Sequence, residues 1–363
     1  MDFSMSKQQK MVRDEFAKLV KDLVIPQAQD NDKQGSIPMD TVQRAWELGA
    51  SIFMVPEEYG GYGSPDSPVE SAIILEEMAY GAMGFAIAAT APSLFIHPIA
   101  DMGTPGQKKK YLPQFCTDSY KACTLAINEP RYGFDPVDLK TIAVKKNGSY
   151  ILNGEKCFVP LGGRAFHMLV AASLDERNEL FIVSADNPGL SVGDTEINLG
   201  LYALETNEVS LKNCQIPAES RLGGDKGCNY DCFLQKSRVA MSALATGVAR
   251  ASFDHARQYA KNRCQFGEPI AHRQSIAFMI AEMAYEVEAM RLLTWKAASR
   301  LEAGLDARRE SYLAKLYAGE KAMLITGYGV QIYGGHGYTR EYPMERFYRD
   351  SRGVSIIEGI ATV

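Results

Sequence analysis

Glu358 stands between the apolar pair Ile356-Ile357 and Gly359, eight residues after Arg349-Asp350. A carboxylate kept dry by apolar neighbours is the residue type that removes a proton from carbon, although an isolated glutamate in a turn is more often a solvated side chain. Upstream, Gln331 and the run Gly334-Gly335-His336-Gly337 offer backbone that a ligand can approach where a side chain would collide. By itself such a glycine cluster also reads as a helix C-cap or a turn. Arg263-x-x-Phe266 combines a guanidinium, which forks two hydrogen bonds onto phosphate oxygens, with a ring that can cover another ring. Alone, Arg263 reads as a residue at a helix end.

Composition narrows the class of protein. At 363 residues and 46% hydrophobic content the chain can bury more than one core, so several domains are expected. A net charge of -5 gives no support for nucleic-acid binding, and Lys108-Lys109-Lys110, the only basic run, reads as a solvated helix face. Seven cysteines without metal-ligand spacing suit reduced thiols, and no metal site is expected. No apolar run reaches the roughly 18–20 residues of a membrane span, and residues 1–10 lack a signal-peptide core. The expectation is a cytoplasmic protein.

The elements that must position these residues follow from a period that changes twice. Residues 7–24, 42–48, 67–80 and 84–101 carry helical spacing, interrupted by the turn residues of 56–63. From 121 the pattern becomes short alternating runs at 122–127, 140–145, 149–152, 167–172, 180–183 and 208–212, punctuated by Asn147-Gly148 and Asn187-Pro188-Gly189. Long helical patterns return at 230–262, 272–302 and 307–333. The expected fold is α+β, with an N-terminal helical domain (1–118), a middle antiparallel β-domain (119–226) and a C-terminal four-helix-bundle domain (227–363).

Residues 331–359 resemble the C-terminal signature of the acyl-CoA dehydrogenase family, with the spacing kept over nearly thirty residues, and the order of domains resembles that family along the whole chain. The resemblance implies an oxidoreductase, a flavoprotein that oxidises an acyl-CoA thioester to the α,β-enoyl-CoA. Glu358 would be the base that takes the α-proton while hydride passes to N5 of FAD. Arg263 and Phe266 would reach the FAD of a neighbouring subunit, implying a homo-oligomer, dimer or homotetramer, and Gln331, Gly334 and Gly335 would lie against the cofactor. Ile127, Asn128, Phe158 and Val159, on the two middle-domain strand ends, would also contact FAD. Phe134, Arg238 and Gly359 would contact substrate. Some members of the family carry the base immediately before this arginine; that place is Ser237 here, which leaves Glu358. The implied electron partner is an electron-transfer flavoprotein. The same site run in reverse would be an enoyl-CoA reductase, and a flavin-poor partner subunit of a hetero-oligomer is the alternative from another class. The acyl chain would run along residues 80–93, which are small and apolar with no basic residue, so dicarboxylic acyl groups are disfavoured.

Four positions depart from the family pattern. Asn128 stands for a threonine and can still donate and accept hydrogen bonds, whereas three hydroxyls are lost where Phe134 stands for a serine on the substrate arm, Pro160 for a threonine near the flavin, and Ile360 for a threonine after the Glu-Gly pair. Proline offers neither hydroxyl nor N–H. Each lost hydrogen bond is worth roughly 0.5–1.5 kcal/mol, so the expected cofactor is one that strips more easily than with the usual residues.

Overall fold

Ser6 starts the first helix in the computed structural model, which describes residues 4–53, 55–63 and 67–363; residues 1–3, the start of the segment read above for a leader, lie outside them. The Ser6 hydroxyl accepts from the Gln9 N–H at 3.1 Å while the Gln9 side chain accepts from the Ser6 N–H at 2.9 Å, a reciprocal cap for α1 (Lys7–Leu19). The helical path does not stop at residue 24. A single π turn, Val20–Val24, leads into α2 (Ile25–Gln34) just before Pro26, whose missing N–H interrupts the hydrogen-bond ladder at that point without ending the helical path. Gly35, at φ +68°, ends it.

There follow α3 (Met39–Glu47), α4 (Pro68–Gly81), α5 (Met83–Thr90), α6 (Ser93–Met102) and α7 (Pro105–Tyr111). The single helix expected over 84–101 is thus two, broken just before Ser93 where Pro92 interrupts the hydrogen-bond ladder.

The middle sheet contains β1 (Cys123–Ala126), β2 (Ile142–Lys146), β3 (Ser149–Pro160), β4 (His167–Leu174), β5 (Arg177–Ser184), β6 (Leu190–Thr195) and β7 (Thr206–Pro217). It is not purely antiparallel as expected. β1 runs parallel to β4 in the register Cys123↔His167 to Ala126↔Val170, and β2 meets β4 in parallel at Ile142↔Ser173. The β2/β3, β3/β7, β6/β7 and β4/β5 pairs are antiparallel.

The C-terminal bundle is built from α8 (Tyr230–Asn262), the small hairpin β8 (Cys264–Gln265) with β9 (Glu268–Pro269), then α9 (Gln274–Glu302), α10 (Arg308–Tyr333), the single turn α11 (Gly335–Tyr338) and α12 (Met344–Gly353). One core lies between this bundle and α1–α5, a second between α6, α7 and the sheet's near face, and a third on the sheet's far face.

α4 packs against both α8 and α9, and its Glu76 and Glu77 are buried. Arg250 of α8 meets Glu77 at 2.6 Å and Glu76 at 3.0 Å, and Arg291 of α9 meets Glu76 at 2.8 Å. Arg349-Asp350 ties all three parts together: Arg349 pairs with Asp32 of α2 at 2.7 Å, and an Asp350 oxygen accepts from the Leu201 N–H of the β-domain at 2.6 Å. The pair therefore seats α12 and does not itself touch Glu358.

Candidate active site

The turn after β1 brings Ile127, Asn128 and Glu129 under the last residues of the chain. The Asn128 side chain accepts from the Glu358 N–H at 2.9 Å and donates to the Glu358 carbonyl at 2.6 Å. Asparagine, one atom longer than the threonine it replaces, thus clamps the backbone of Glu358 from both sides. Its own carbonyl accepts from the Cys157 N–H at 2.9 Å, which fixes it to β3. Gly359 follows at φ +68°, where a Cβ would lie 2.4 Å from Cγ2 of Ile127, so both the turn and the close approach require glycine here.

Below the clamp sits a buried ion pair. The Lys156 ammonium, fully buried, donates to the Ile127 carbonyl and to the Glu129 carboxylate, each at 3.1 Å. Glu129 also accepts from the N–H groups of Lys140 and Thr141 at 2.9 and 2.8 Å. Burial pulls Lys156 down to about 8 against the opposing pull of Glu129. Burial would raise Glu129, but the Lys156 charge and the backbone donors hold it below the ordinary carboxylate value. The pair braces the strand end that carries Ile127 and Asn128.

The Glu358 side chain is largely buried. One oxygen, Oε1, is bonded to the ammonium of Lys315 on α10, which also donates to the Ile357 carbonyl at 3.2 Å. The other, Oε2, is buried without a hydrogen-bond partner among the described residues. Arg238 of α8 lies over the Tyr312 ring, 5.4 Å from its centroid and one helical turn before Lys315. Burial lowers Lys315 from the ordinary lysine value and the Arg238 charge adds to this, while Glu358 pulls the other way. Ser237 is fully buried, its hydroxyl unpartnered among the described residues.

Phe158 sits at an irregularity where β3 slips register against β7, with φ +52° and its N–H donating to the Glu196 carboxylate at 3.0 Å. Its ring is half-buried, whereas Val159 points into the sheet's far core, leaving only backbone to offer a cofactor. Phe134 is half-buried against the second core with the Arg131 guanidinium 5.7 Å from its ring centroid. Pro160 closes β3 and Ile360 is buried in the bundle core.

The remaining residues form a separate group. Arg238 and Arg263 are 25 residues apart along α8, about 37 Å of helix. Arg263 caps the far end, followed by the hairpin tip with Phe266, which is 92% exposed. Tyr259 stacks on Tyr333 with centroids 3.9 Å apart and its hydroxyl bonds His336 at 3.0 Å, so the ends of α8 and α10 meet there. Gln331, Gly334 and Gly335 lie at this end, exposed; a Cβ on either glycine would meet nothing within 4 Å. Within one chain, therefore, Glu358, Gly359, Ile127, Asn128 and Arg238 converge on one seam, with Phe158 and Phe134 on its sheet side. Arg263, Phe266, Gln331, Gly334 and Gly335 converge on another.

Sequence reasoning missed Lys315 and took Glu129 as structural without its partner. A signal for Lys315 exists: it lies on the stripe Ser311, Lys315, Ala318, Ala322, whose other members are buried, and a lysine on such a stripe requires a partner.

Comparison with known proteins defines the class. Family models for the acyl-CoA dehydrogenase N-terminal, middle and C-terminal domains match residues 6–119, 124–214 and 231–363. The chain belongs to the acyl-CoA dehydrogenase family. It is 36% identical to an acyl-CoA dehydrogenase of Bacillus subtilis (strain 168), over 96% of this chain and 93% of that protein. It is 34% identical to an NADH-dependent acryloyl-CoA reductase of Anaerotignum propionicum, over 100% and 94%. Butyryl-CoA dehydrogenase from Megasphaera elsdenii superposes with a TM-score of 0.90 at 31% identity, over 100% of this chain and 96% of that one.

Proposed function

We propose that the protein is an FAD-dependent acyl-CoA dehydrogenase in which Glu358 takes the α-proton of an acyl-CoA thioester, giving the α,β-enoyl-CoA. The disposition of Glu358 carries this reading: its backbone is clamped by Asn128, one carboxylate oxygen is tied to Lys315, and the other is buried and free to accept. Arg238, on the adjoining face of α8, supplies a cation for the thioester or the CoA arm, and Gly359 lets the chain turn tightly beside Ile127.

The residues present fit FAD. The open backbone at Gly334-Gly335 can face a flat or phosphate-bearing group, and no carboxylate among the described residues pairs with Arg263, which leaves it for phosphate oxygens. When bound, FAD supplies the acceptor for the hydride that leaves the β-carbon. About 37 Å of α8 separates Arg263 from Arg238, so the end of the bundle serves the seam of another copy, which favours a homo-oligomer, dimer or homotetramer. We assign domains 1–118, 119–226 and 227–363, an electron-transfer flavoprotein as electron partner and the cytoplasm as location. Among residues 80–93 Tyr80 does lie against a cation, the Arg250 guanidinium 4.6 Å from its ring, but Glu76 and Glu77 already neutralise it, which supports a monocarboxylic acyl group.

Similarity to the Anaerotignum propionicum reductase favours one second reading, the same site reducing an enoyl-CoA. Flavin bleaching by acyl-CoA thioesters against re-oxidation by enoyl-CoA thioesters separates the directions, and a colourless purified protein would point instead to a flavin-poor partner subunit. Glu358→Gln tests the base: turnover falls about a hundredfold or more with fold and flavin kept. Near-normal turnover in that variant refutes the assignment.

A further inference from the structure

Lys315 lies outside the set of residues assigned above, yet among the described residues it is the one cation bonded to the Glu358 carboxylate. It is largely buried, and α10, where it sits in the first third of a 26-residue helix, gives it a rigid base. Its ammonium has two acceptors, Glu358 Oε1 and the Ile357 carbonyl at 3.2 Å, so it grips the base by side chain and by the preceding peptide at once. Asn128 grips the following part of the same backbone from the sheet side.

A free carboxylate presents two equivalent oxygens and turns about its last bond. Tying Oε1 to a fixed ammonium ends that equivalence and leaves Oε2, buried and unpartnered among the described residues, as the proton acceptor. We propose that Lys315 is a positioning residue of the proton-abstraction step, holding the Glu358 carboxylate so that Oε2 alone faces the substrate α-carbon. This rests on the reading of Glu358 as the base. In the step, the α-C–H bond breaks, the proton goes to Oε2, and the electron pair stays on the substrate as the enolate. Lys315 keeps its own protons throughout. The other cation nearby, Arg238, is directed over Tyr312, and so the pairing falls to Lys315.

Positioning makes a different demand from substrate binding. In Lys315→Met, kcat falls roughly 10- to 100-fold, the range for a displaced base, while KM stays within about twofold. Lys315→Arg, which keeps the cation, recovers most of the loss. Exchange of the substrate α-hydrogens with D2O, followed by NMR, falls by the same factor as kcat. In the Glu358→Gln background, Lys315→Met adds no further loss. Should Lys315→Met fail to fold, Lys315→Gln gives the same reading, since its side chain, one atom shorter and uncharged, removes the ammonium that holds Oε1 while keeping a polar group at this largely buried position. Wild-type kcat in the Met or Gln variant, equal losses in the Met and Arg variants, or a loss that adds to that of Glu358→Gln would overturn the proposal. Unchanged turnover in Glu358→Gln alone would instead overturn the assignment of the base, so the two failures are told apart.

Discussion

Replacing Gly359 by alanine adds one methyl group at the most constrained point of the site, and its effect can be worked out term by term. The residue has φ +68°, where an L side chain costs roughly 1–2 kcal/mol. The new Cβ lies 2.4 Å from Cγ2 of Ile127, so the two must part by about 1 Å to reach the 3.4 Å of ordinary contact. Ile127 cannot recoil, because it is buried and its carbonyl is held by Lys156 at 3.1 Å. Overpacking of this kind costs roughly 1–3 kcal/mol, which brings the total to roughly 2–5 kcal/mol. The displacement therefore falls on the other partner, the backbone of Glu358, and a shift of about 1 Å at a reacting group costs on the order of a hundredfold in rate. Thermal or urea unfolding measures the first quantity and kcat the second. Ile127→Ala removes the methyl that is struck and leaves φ unchanged, so in a double-mutant cycle it returns the steric part, roughly 1–3 kcal/mol, and not the conformational part. Wild-type stability and kcat in Gly359→Ala, or strictly additive effects in the double variant, refute the reasoning.

Two further outcomes follow from buried charge and from the division of the site. Burial pushes the Asp350 carboxyl up to about 6 from 3.8, against the opposing pull of Arg346 and the Leu201 N–H. The folded state then holds a proton that the unfolded state has released, and this contribution to stability is full below the unfolded value and disappears as pH rises through about 6. Asp350→Asn removes that dependence, so wild-type stability relative to the variant falls across this window in urea titrations; parallel curves contradict it. If Arg263 serves the seam of another copy, mixing inactive Glu358→Gln with Arg263→Ala during refolding restores roughly a quarter of the sites by random pairing. No recovery places Arg263 in its own chain's site.

Much of the fold was legible because long helices repeat their signal many times. The expectation of 230–262 for α8 coincides with the observed element, and those for α9 and α10 differ by one or two residues at the start. Pairing in the sheet was less legible, since alternation marks a strand but not its partner. Nothing in Cys123–Ala126 states that it lies parallel to His167–Leu174. β6 escaped notice because Leu190-Ser-Val-Gly-Asp-Thr carries only two apolar side chains and lies on the sheet's edge. At the candidate site, Glu358 was singled out through a motif of contiguous residues. Asn128 was noted for its ability to donate and accept, but its target lies 230 positions away, a separation no local pattern spans. Ile360 was read as a lost cofactor contact, and its side chain is buried in the core shared by the bundle and α1–α5.

The placement of Glu76 and Glu77 has a consequence for how the chain is made. Helix α4 leaves the ribosome with these two acidic side chains on a surface that will be buried, while Arg250 and Arg291, which neutralise them, lie some 170 and 215 residues further along. A buried carboxylate without its cation costs several kcal/mol. Because α8 and α9 are also the elements that cover Glu76 and Glu77 and share the core of α1–α5, that core closes only once they have been synthesised. An isolated fragment ending near residue 118 would remain unfolded or aggregate, and the nascent chain spends most of its synthesis exposing the apolar helices α5 and α6, a long interval in which holding by chaperones counts for more than intrinsic folding speed.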